Sequence, residues 1–240
     1  EIERTDDSIL CIATADWLLH GGDVSHYYSR YALEYPYPMG GYGGMFKAWS
    51  SKVARQGIHE PYNSCGNGSA MRIAPVGWAF ETEREVLAAA EVSASCTHNH
   101  PEGIKGAQAT ALCIFLARQG HTASDIRARI ERDFGYDLSM SVEELQRRYS
   151  WQGIDGKGDG GICQDSVPQA IICVLQAKDF EDAIRNAISI GGDSDTIGCI
   201  AGGIAEALYG IPESIKERAW KYLDETEGRT VRSFIQKYSI

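Results

Sequence analysis

No uninterrupted apolar run in this sequence approaches the ~18 residues of a membrane span, and its start lacks a signal-peptide pattern, so no membrane partner is expected. Positive charge is also in short supply. The chain carries 23 Lys and Arg against 33 Asp and Glu, a net charge of −10, and the basic residues are scattered. Neutralising phosphates takes clustered Lys and Arg, so nucleic acid is not expected as a partner. There is no Cys-x-x-Cys. The seven cysteines (Cys11, Cys65, Cys96, Cys113, Cys163, Cys173 and Cys199) are odd in number and lie mostly in apolar stretches. That excludes a disulfide framework and a cysteine zinc site, and fits the reduced, buried thiols of a cytoplasmic protein. Cys65 stands apart in a Gly-rich loop, where a catalytic thiol would need a His partner. Period-2 alternation is nearly absent, and Asn67-Gly68 does not join two β-branched runs, which argues against a β fold.

What is present is helical periodicity. Ile9, Ile12, Ala13 and Trp17 form one apolar face, and Gly21-Gly22 stops it. Thr82 with Glu85, and Ser141 with Glu144, have capping-box spacing. Glycines 57, 120, 135 and 210 stand where helices should end, and Pro212 suits the first turn of the next. The chain has 240 residues, 43% of them apolar, with no internal repeat or linker. The expectation is all-α: one domain over residues 1–240, a compact bundle of roughly a dozen short helices, acting as a monomer. The longest non-helical stretches should be 35–44, 58–68 and 151–165, where glycine concentrates.

Two acidic clusters stand at opposite ends of the chain, Thr5-Asp6-Asp7-Ser8 and Gly191-Gly192-Asp193-Ser194-Asp195-Thr196. Each sets two carboxylates beside hydroxyls. Brought together, they are hard oxygen ligands of the kind Mg²⁺ or Mn²⁺ prefers, enough for one ion or a close pair. Asp and Ser also cap helices, and both clusters precede apolar-periodic stretches, so capping fits either cluster alone. It does not explain two acids plus hydroxyls twice over.

The loops add weaker signals. Gly40-Gly41-Tyr42-Gly43-Gly44 lets a backbone approach a ligand, but it is neither a Walker loop nor a Rossmann fingerprint. Asn63-Ser64-Cys65-Gly66-Asn67-Gly68-Ser69 runs into a helix start whose free N–H groups suit a phosphate or sugar hydroxyl, and Asn67 and Ser69 equally suit caps. In Thr97-His98-Asn99-His100 a zinc site lacks a third ligand, and one His touching a polar substrate is the better reading. Asp155-Gly156-Lys157-Gly158-Asp159-Gly160 superficially resembles a calcium loop. Lys157 and Ser166 occupy positions that need oxygen ligands and a bidentate Glu, which excludes it.

In this order the motifs resemble the ADP-ribosylglycohydrolases, a family that includes the dinitrogenase-reductase-activating glycohydrolases. The motifs are Thr-Asp-Asp-Ser, Gly-Tyr-Gly-Gly, Gly-Asn-Gly-Ser-Ala-Met-Arg, Thr-His-Asn-His, Ser-Val-Pro and Gly-Gly-Asp-Ser-Asp-Thr, spread from residue 5 to about residue 225. The resemblance implies an all-α fold with two divalent ions, Mg²⁺ or Mn²⁺, at an ADP-ribose cleft. Their ligands would be Thr5, Asp6, Asp7, Asp193, Asp195 and Thr196, with the four aspartates catalytic. Substrate would meet Gly41, Tyr42, Gly43 and Gly44, then Ser64, Cys65, Gly66, Asn67 and Gly68, with His98 at a ribose and Val167 near the adenosine. The implied activity is metal-dependent hydrolysis of the C1″ N- or O-glycosyl bond in ADP-ribosylated proteins or related ADP-ribose conjugates.

Two departures accompany the resemblance. The family's first cluster follows a segment with a Gly-Asp-x-x-Gly stretch and, in some members, an acid–base carboxylate. Here only four residues precede Thr5, and Glu1 and Glu3 do not match that carboxylate by position, so an incomplete N-terminus is expected. Residues 152–163 look inserted, as a lid or an inert loop. A non-catalytic ADP-ribose binder and a two-metal phosphoesterase are the competing readings, the second disfavoured by the glycine loops.

Overall fold

Fourteen helices and one minimal hairpin make up the described residues, 4–240, of the computed structural model; Glu1 and Glu3 lie outside them. α1 (Asp6–His20) leads through Gly21-Gly22 to α2 (Val24–Glu34), and α3 (Gly44–Gln56) follows a glycine-rich connection. Two short helices, α4 (Gly68–Met71) and α5 (Ala74–Ala79), precede α6 (Glu83–Ser95), α7 (Pro101–Arg118), α8 (Ala123–Phe134) and α9 (Val142–Arg148). The hairpin pairs β1 (Tyr149–Ser150) with β2 (Gly153–Ile154), antiparallel, Tyr149 opposite Ile154. Then come α10 (Cys163–Leu175), α11 (Phe180–Ser189), α12 (Ser194–Tyr209), α13 (Glu213–Trp220) and α14 (Glu225–Tyr238). Among the described residues no helix is long and apolar enough to cross a membrane.

Local chemistry sets most helix ends. The boxes at Thr82–Glu85 and Ser141–Glu144 form, each satisfying helix N–H groups that would otherwise lack partners, for about 1 kcal/mol per cap. Two more, Thr122–Asp125 and Asp224–Glu227, open α8 and α14. Gly57 and Gly135 close α3 and α8 in the left-handed region, at φ of 63° and 64°. Pro212 sits at the N-cap of α13, one position before the first turn.

α7 is the axis. It is apolar nearly all round, so it can be stable only inside other helices, and α4, α5, α6, α8, α10 and α12 surround it. Leu112 and Ile114 on it are fully buried, each contributing about 1.5–3 kcal/mol of transfer free energy. One contiguous core runs from Ile9 to Ala205.

The non-helical stretches fall at 35–43, 57–67 and 149–162, close to the expected ones. Two backbone bridges place them. Thr5 pairs with Met39, holding the α2–α3 connection beside the start of α1, and Gly66 pairs with Ile162, tying the second loop to the approach to α10. α1 and α12 pack on each other. Three glycine-rich segments therefore gather about the N-termini of two neighbouring helices.

Candidate active site

The two acidic clusters, nearly 190 residues apart in sequence, occupy those two N-termini. Asp6 and Asp7 lie in the first turn of α1; Asp193 is the N-cap of α12 and Asp195 lies in its first turn. The positive end of a helix dipole favours carboxylates there. Capping does not account for the clusters: Thr5 and Asp193 hold the N-cap positions, yet neither side chain accepts a cap hydrogen bond. Thr5 Oγ1 instead donates to Asp7 Oδ2 at 2.7 Å. Asn67 Nδ2 donates to Asp193 Oδ2 at 2.7 Å and to the Gly160 carbonyl at 3.3 Å.

Charge in this cluster is uncompensated. Among the described residues no Lys, Arg or His forms an ion pair with Asp6, Asp7, Asp193 or Asp195. Burial, then the neighbouring Asp7, pushes the Asp6 carboxyl up to about 7. Burial also lifts Asp193 to about 6, with the Asn67 amide opposing and Asp195 adding to the rise. Asp7, 2% exposed, is raised chiefly by burial, and its Oδ1 is buried without a hydrogen-bond partner. A buried acceptor left unpaired costs about 1–3 kcal/mol. Four carboxylates, one of them with an orphan oxygen, and two threonine hydroxyls form a donor set suited to hard divalent cations.

A cavity of about 510 Å³, within the usual range for small-molecule sites, opens from this cluster. Asp6, Asp193, Asp195 and Thr196 line one end. Gly41, Tyr42, Gly43 and Gly44 also line it, as do Ser64, Gly66, Asn67, Gly68 and His98. Thr5 and Asp7 stand behind the cluster and do not reach the lining. Gly68 packs closely on the histidine: a Cβ there would stand 3.0 Å from His98 Nε2, so the ring would have to give by a few tenths of an ångström. Gly192 is required twice over, with φ at +69° and a Cβ that would collide with the Tyr149 ring.

His98 is held by a chain that fixes its proton. Arg72 Nη2 donates to Thr97 Oγ1 at 2.8 Å and to the Ser93 carbonyl at 2.7 Å. Thr97 Oγ1 lies 2.7 Å from His98 Nδ1. Arginine only donates, so the threonine oxygen accepts from it, and we assign its single proton to Nδ1. Nδ1 is then an acceptor, and the neutral ring carries its proton on Nε2, the atom that faces Gly66 and Gly68. Burial, and next the Arg72 charge, hold the His98 pKa well below its ordinary value, so the ring is a neutral donor. Arg72 itself is fully buried, its guanidinium 4.0 Å from the centroid of the Tyr28 ring.

Two expected contact residues lie elsewhere. Val167 is fully buried in α10, against the position of Gly106 on α7, and does not line the cavity. Ser166, Val167 and Pro168 all lie inside α10. Cys65 also misses the lining; its carbonyl accepts from Cys163 N at 2.9 Å, which fastens the loop. Of the two histidines, His98 reaches the cavity, while His100 caps α7 by accepting from Glu102 N at 3.2 Å. Sequence reasoning missed Arg72, Tyr62, Met45, Phe46 and Trp151, which also line the cavity. Trp151, at the tip of the hairpin, stands at the rim and is 52% exposed. The cysteines are all free, as expected.

Known proteins are similar to this chain in sequence and in fold. Homo sapiens ADP-ribosylhydrolase ARH3 is 31% identical over 280 residues, covering 93% of this chain and 76% of that protein. Pseudomonas putida ADP-ribosylarginine hydrolase Tri1 is 27% identical over 248 residues, 91% of this chain and 63% of that one. A solved structure described as an ADP-ribosylglycohydrolase-related protein complex superposes with a TM-score of 0.72 at 25% identity, over 97% of this chain and 81% of its own. The family model described as ADP-ribosylglycohydrolase matches residues 2–238. With a match across almost its entire length and this helical fold, the chain belongs to the ADP-ribosylglycohydrolase family.

Proposed function

We propose that this chain is a metal-dependent hydrolase that cleaves the C1″ glycosidic bond of ADP-ribosylated proteins or related ADP-ribose conjugates and releases ADP-ribose. The observation that carries the reading is the convergence of four carboxylates, unpaired by any cation among the described residues, at one end of a glycine-walled cavity. Relatives with similar sequences are named as ADP-ribosylhydrolases, one of them an ADP-ribosylarginine hydrolase.

Asp6, Asp7, Asp193 and Asp195, with the Thr5 and Thr196 hydroxyls, fit two divalent ions, Mg²⁺ or Mn²⁺. When bound, such ions stabilise developing negative charge and lower the pKa of a coordinated water. The rest of the chemistry belongs to the chain. Backbone N–H groups of Gly43, Gly44, Ser64 and Gly68 would receive the diphosphate and ribose oxygens, because no side chain intervenes at the glycines, while the Gly41 and Gly66 N–H groups hold the loops through the Pro38 carbonyl and Ser64 Oγ. His98 Nε2–H donates to a ribose hydroxyl. Asn67 orients Asp193 through its amide. The C1″–acceptor bond breaks through an oxocarbenium-like transition state, a water oxygen bonds to C1″, and a spare carboxylate oxygen of the cluster takes the water proton. The departing side chain leaves with a proton from solvent.

The test is release of free ADP-ribose from an ADP-ribosylated protein, with and without Mg²⁺ or Mn²⁺. Metal-dependent release is expected. Asp193→Ala should lower it by about 10²-fold or more, the scale of losing a preorganised electrostatic group, with an unchanged circular dichroism spectrum. ADP-ribose binding without turnover would instead mark a binding protein. Full activity of Asp193→Ala at limiting metal would sink the assignment.

A further inference from the structure

A second group of ligating side chains lies outside the cavity lining. Asp23 caps α2 with one oxygen only: Oδ1 accepts from Ser25 N at 2.9 Å and from Ser25 Oγ at 2.7 Å. Its other oxygen, Oδ2, stands 3.0 Å from His59 Nδ1. The His59 ring meets His26 edge-on, centroids 4.8 Å apart and planes at 88°. Asp23, His26 and His59 each offer one ligand atom, and all three atoms lie within 4.8 Å of one another.

Ordinary structural roles do not use this whole group. A helix cap needs one carboxylate oxygen, and an ion pair needs one histidine. Neither needs His26, which is exposed and makes no side-chain hydrogen bond among the described residues. The placement is what a metal requires. Asp23 and His26, three apart, project from the same side of the α2 start, and His59 arrives from a different segment to close the third side. Ligands at about 2.0–2.2 Å from a tetrahedral ion stand roughly 3.3–3.5 Å apart, so small rotamer changes in two exposed side chains and one half-buried one complete the site.

Donor chemistry sets the ion. Two imidazoles and one carboxylate suit Zn²⁺ and its neighbours rather than Mg²⁺ or Ca²⁺, the reverse of the all-oxygen acid cluster. We propose that Asp23, His26 and His59 form a site for one divalent transition-metal ion of the Zn²⁺ class, with a fourth position open to water. His59 lies on the 57–67 connection, which carries Tyr62 and Ser64 into the cavity wall. An ion at this site fastens that connection to the start of α2, and so steadies one wall of the cavity from outside. The proposal does not depend on the reaction assigned above.

The experiment is a Zn²⁺ titration of the whole chain by calorimetry and native mass spectrometry, with excess Mg²⁺ present to occupy hard oxygen sites. One tightly bound Zn²⁺ is expected in the unmodified protein and equally in Asp193→Ala. In His26→Ala and in His59→Ala the affinity should fall by more than the about 10–100-fold that losing an outer partner of a ligand costs. His26→Ala keeps the test decisive should His59→Ala disturb the loop, since His26 makes no side-chain hydrogen bond among the described residues. Equal Zn²⁺ binding in His26→Ala and the unmodified protein would overturn the site. So would loss of the ion in Asp193→Ala, which would assign it to the acid cluster.

Discussion

The cavity has two charged walls, and they are built on opposite principles. At the N-termini of α1 and α12, four carboxylates crowd together with no cation among the described residues, and burial with mutual repulsion drives Asp6 and Asp193 to bind protons. Behind His98, a fully buried guanidinium has no carboxylate either, yet a carbonyl, a hydroxyl and the Tyr28 ring satisfy part of it. The second wall is held by the protein's own groups through Nη2 and the ring contact, while Arg72 Nε and Nη1 stay buried without hydrogen-bond partners. The first is complete only when something positive arrives. An unpaired buried charge is costly wherever it occurs, so the difference separates a part of the fold that holds shape from a part that waits for a ligand.

Metal should break the symmetry most strongly. In the metal-free protein the folded state keeps protons on Asp6, up to about 7, and on Asp193, up to about 6, whereas the same side chains in the unfolded chain have let them go by about pH 4. The folded state then binds more protons, so stability should fall as pH rises from about 4 to about 7. Metal ligation needs deprotonated carboxylates, so Mg²⁺ should stabilise more at pH 8 than at pH 5. At a hundredfold excess over Kd the gain is about 2.7 kcal/mol. That corresponds to a rise of roughly 5–11 °C in Tm for a chain of this size, read by differential scanning calorimetry. Equal Mg²⁺ shifts at both pH values would show that the acid wall is not where the ion binds.

Removing one acid should narrow the gap between the walls. Asp193→Asn is expected to raise the metal-free Tm at pH 8 by a few degrees, about 2–4 °C per kcal/mol, and to shrink the Mg²⁺ increment. A lower metal-free Tm would mean that Asp193 serves mainly as a structural partner of Asn67.

The smallest effect belongs to the wall behind His98. Thr97→Val removes the hydroxyl between Arg72 and His98, about 1 kcal/mol of hydrogen bonding, so ADP-ribose should bind about fivefold more weakly with Mg²⁺ binding unchanged. The ¹⁵N spectrum of His98 should lose its bias toward the Nε2–H tautomer, and Thr97→Ser should restore both. An unaltered tautomer in Thr97→Val would dissolve the hydrogen-bond chain as its cause.

Legibility in the sequence followed the range of the interactions. The boxes at Thr82 and Ser141 act over three residues and could be read directly; those at Thr122 and Asp224 follow the same spacing and went unread. The acid clusters were legible as pairs, but their meeting depends on α1 packing against α12, which no local pattern encodes. The expectation that Val167 lies near the adenosine came with the resemblance alone; in the fold it is buried inside α10, beside Pro168. Strands of two residues are too short to show alternation, so the hairpin that brings Trp151 to the rim was invisible. Arg72 stood in a quoted motif without a role, because its partners Ser93 and Thr97 lie more than twenty residues away.

Asn67 carries a consequence for how long the protein keeps working. Its amide bridges Asp193 and the Gly160 carbonyl, and Gly68 follows it, the neighbour that least hinders the succinimide route to deamidation. Each such event would swap a donor for a fifth carboxylate, aimed at an oxygen that already repels its neighbours. An ageing sample would then drift to a more acidic isoelectric point and lose ligand affinity in step, its helices intact: a chemical clock set in the wall of the cavity, slowed for as long as the bridge holds the amide still.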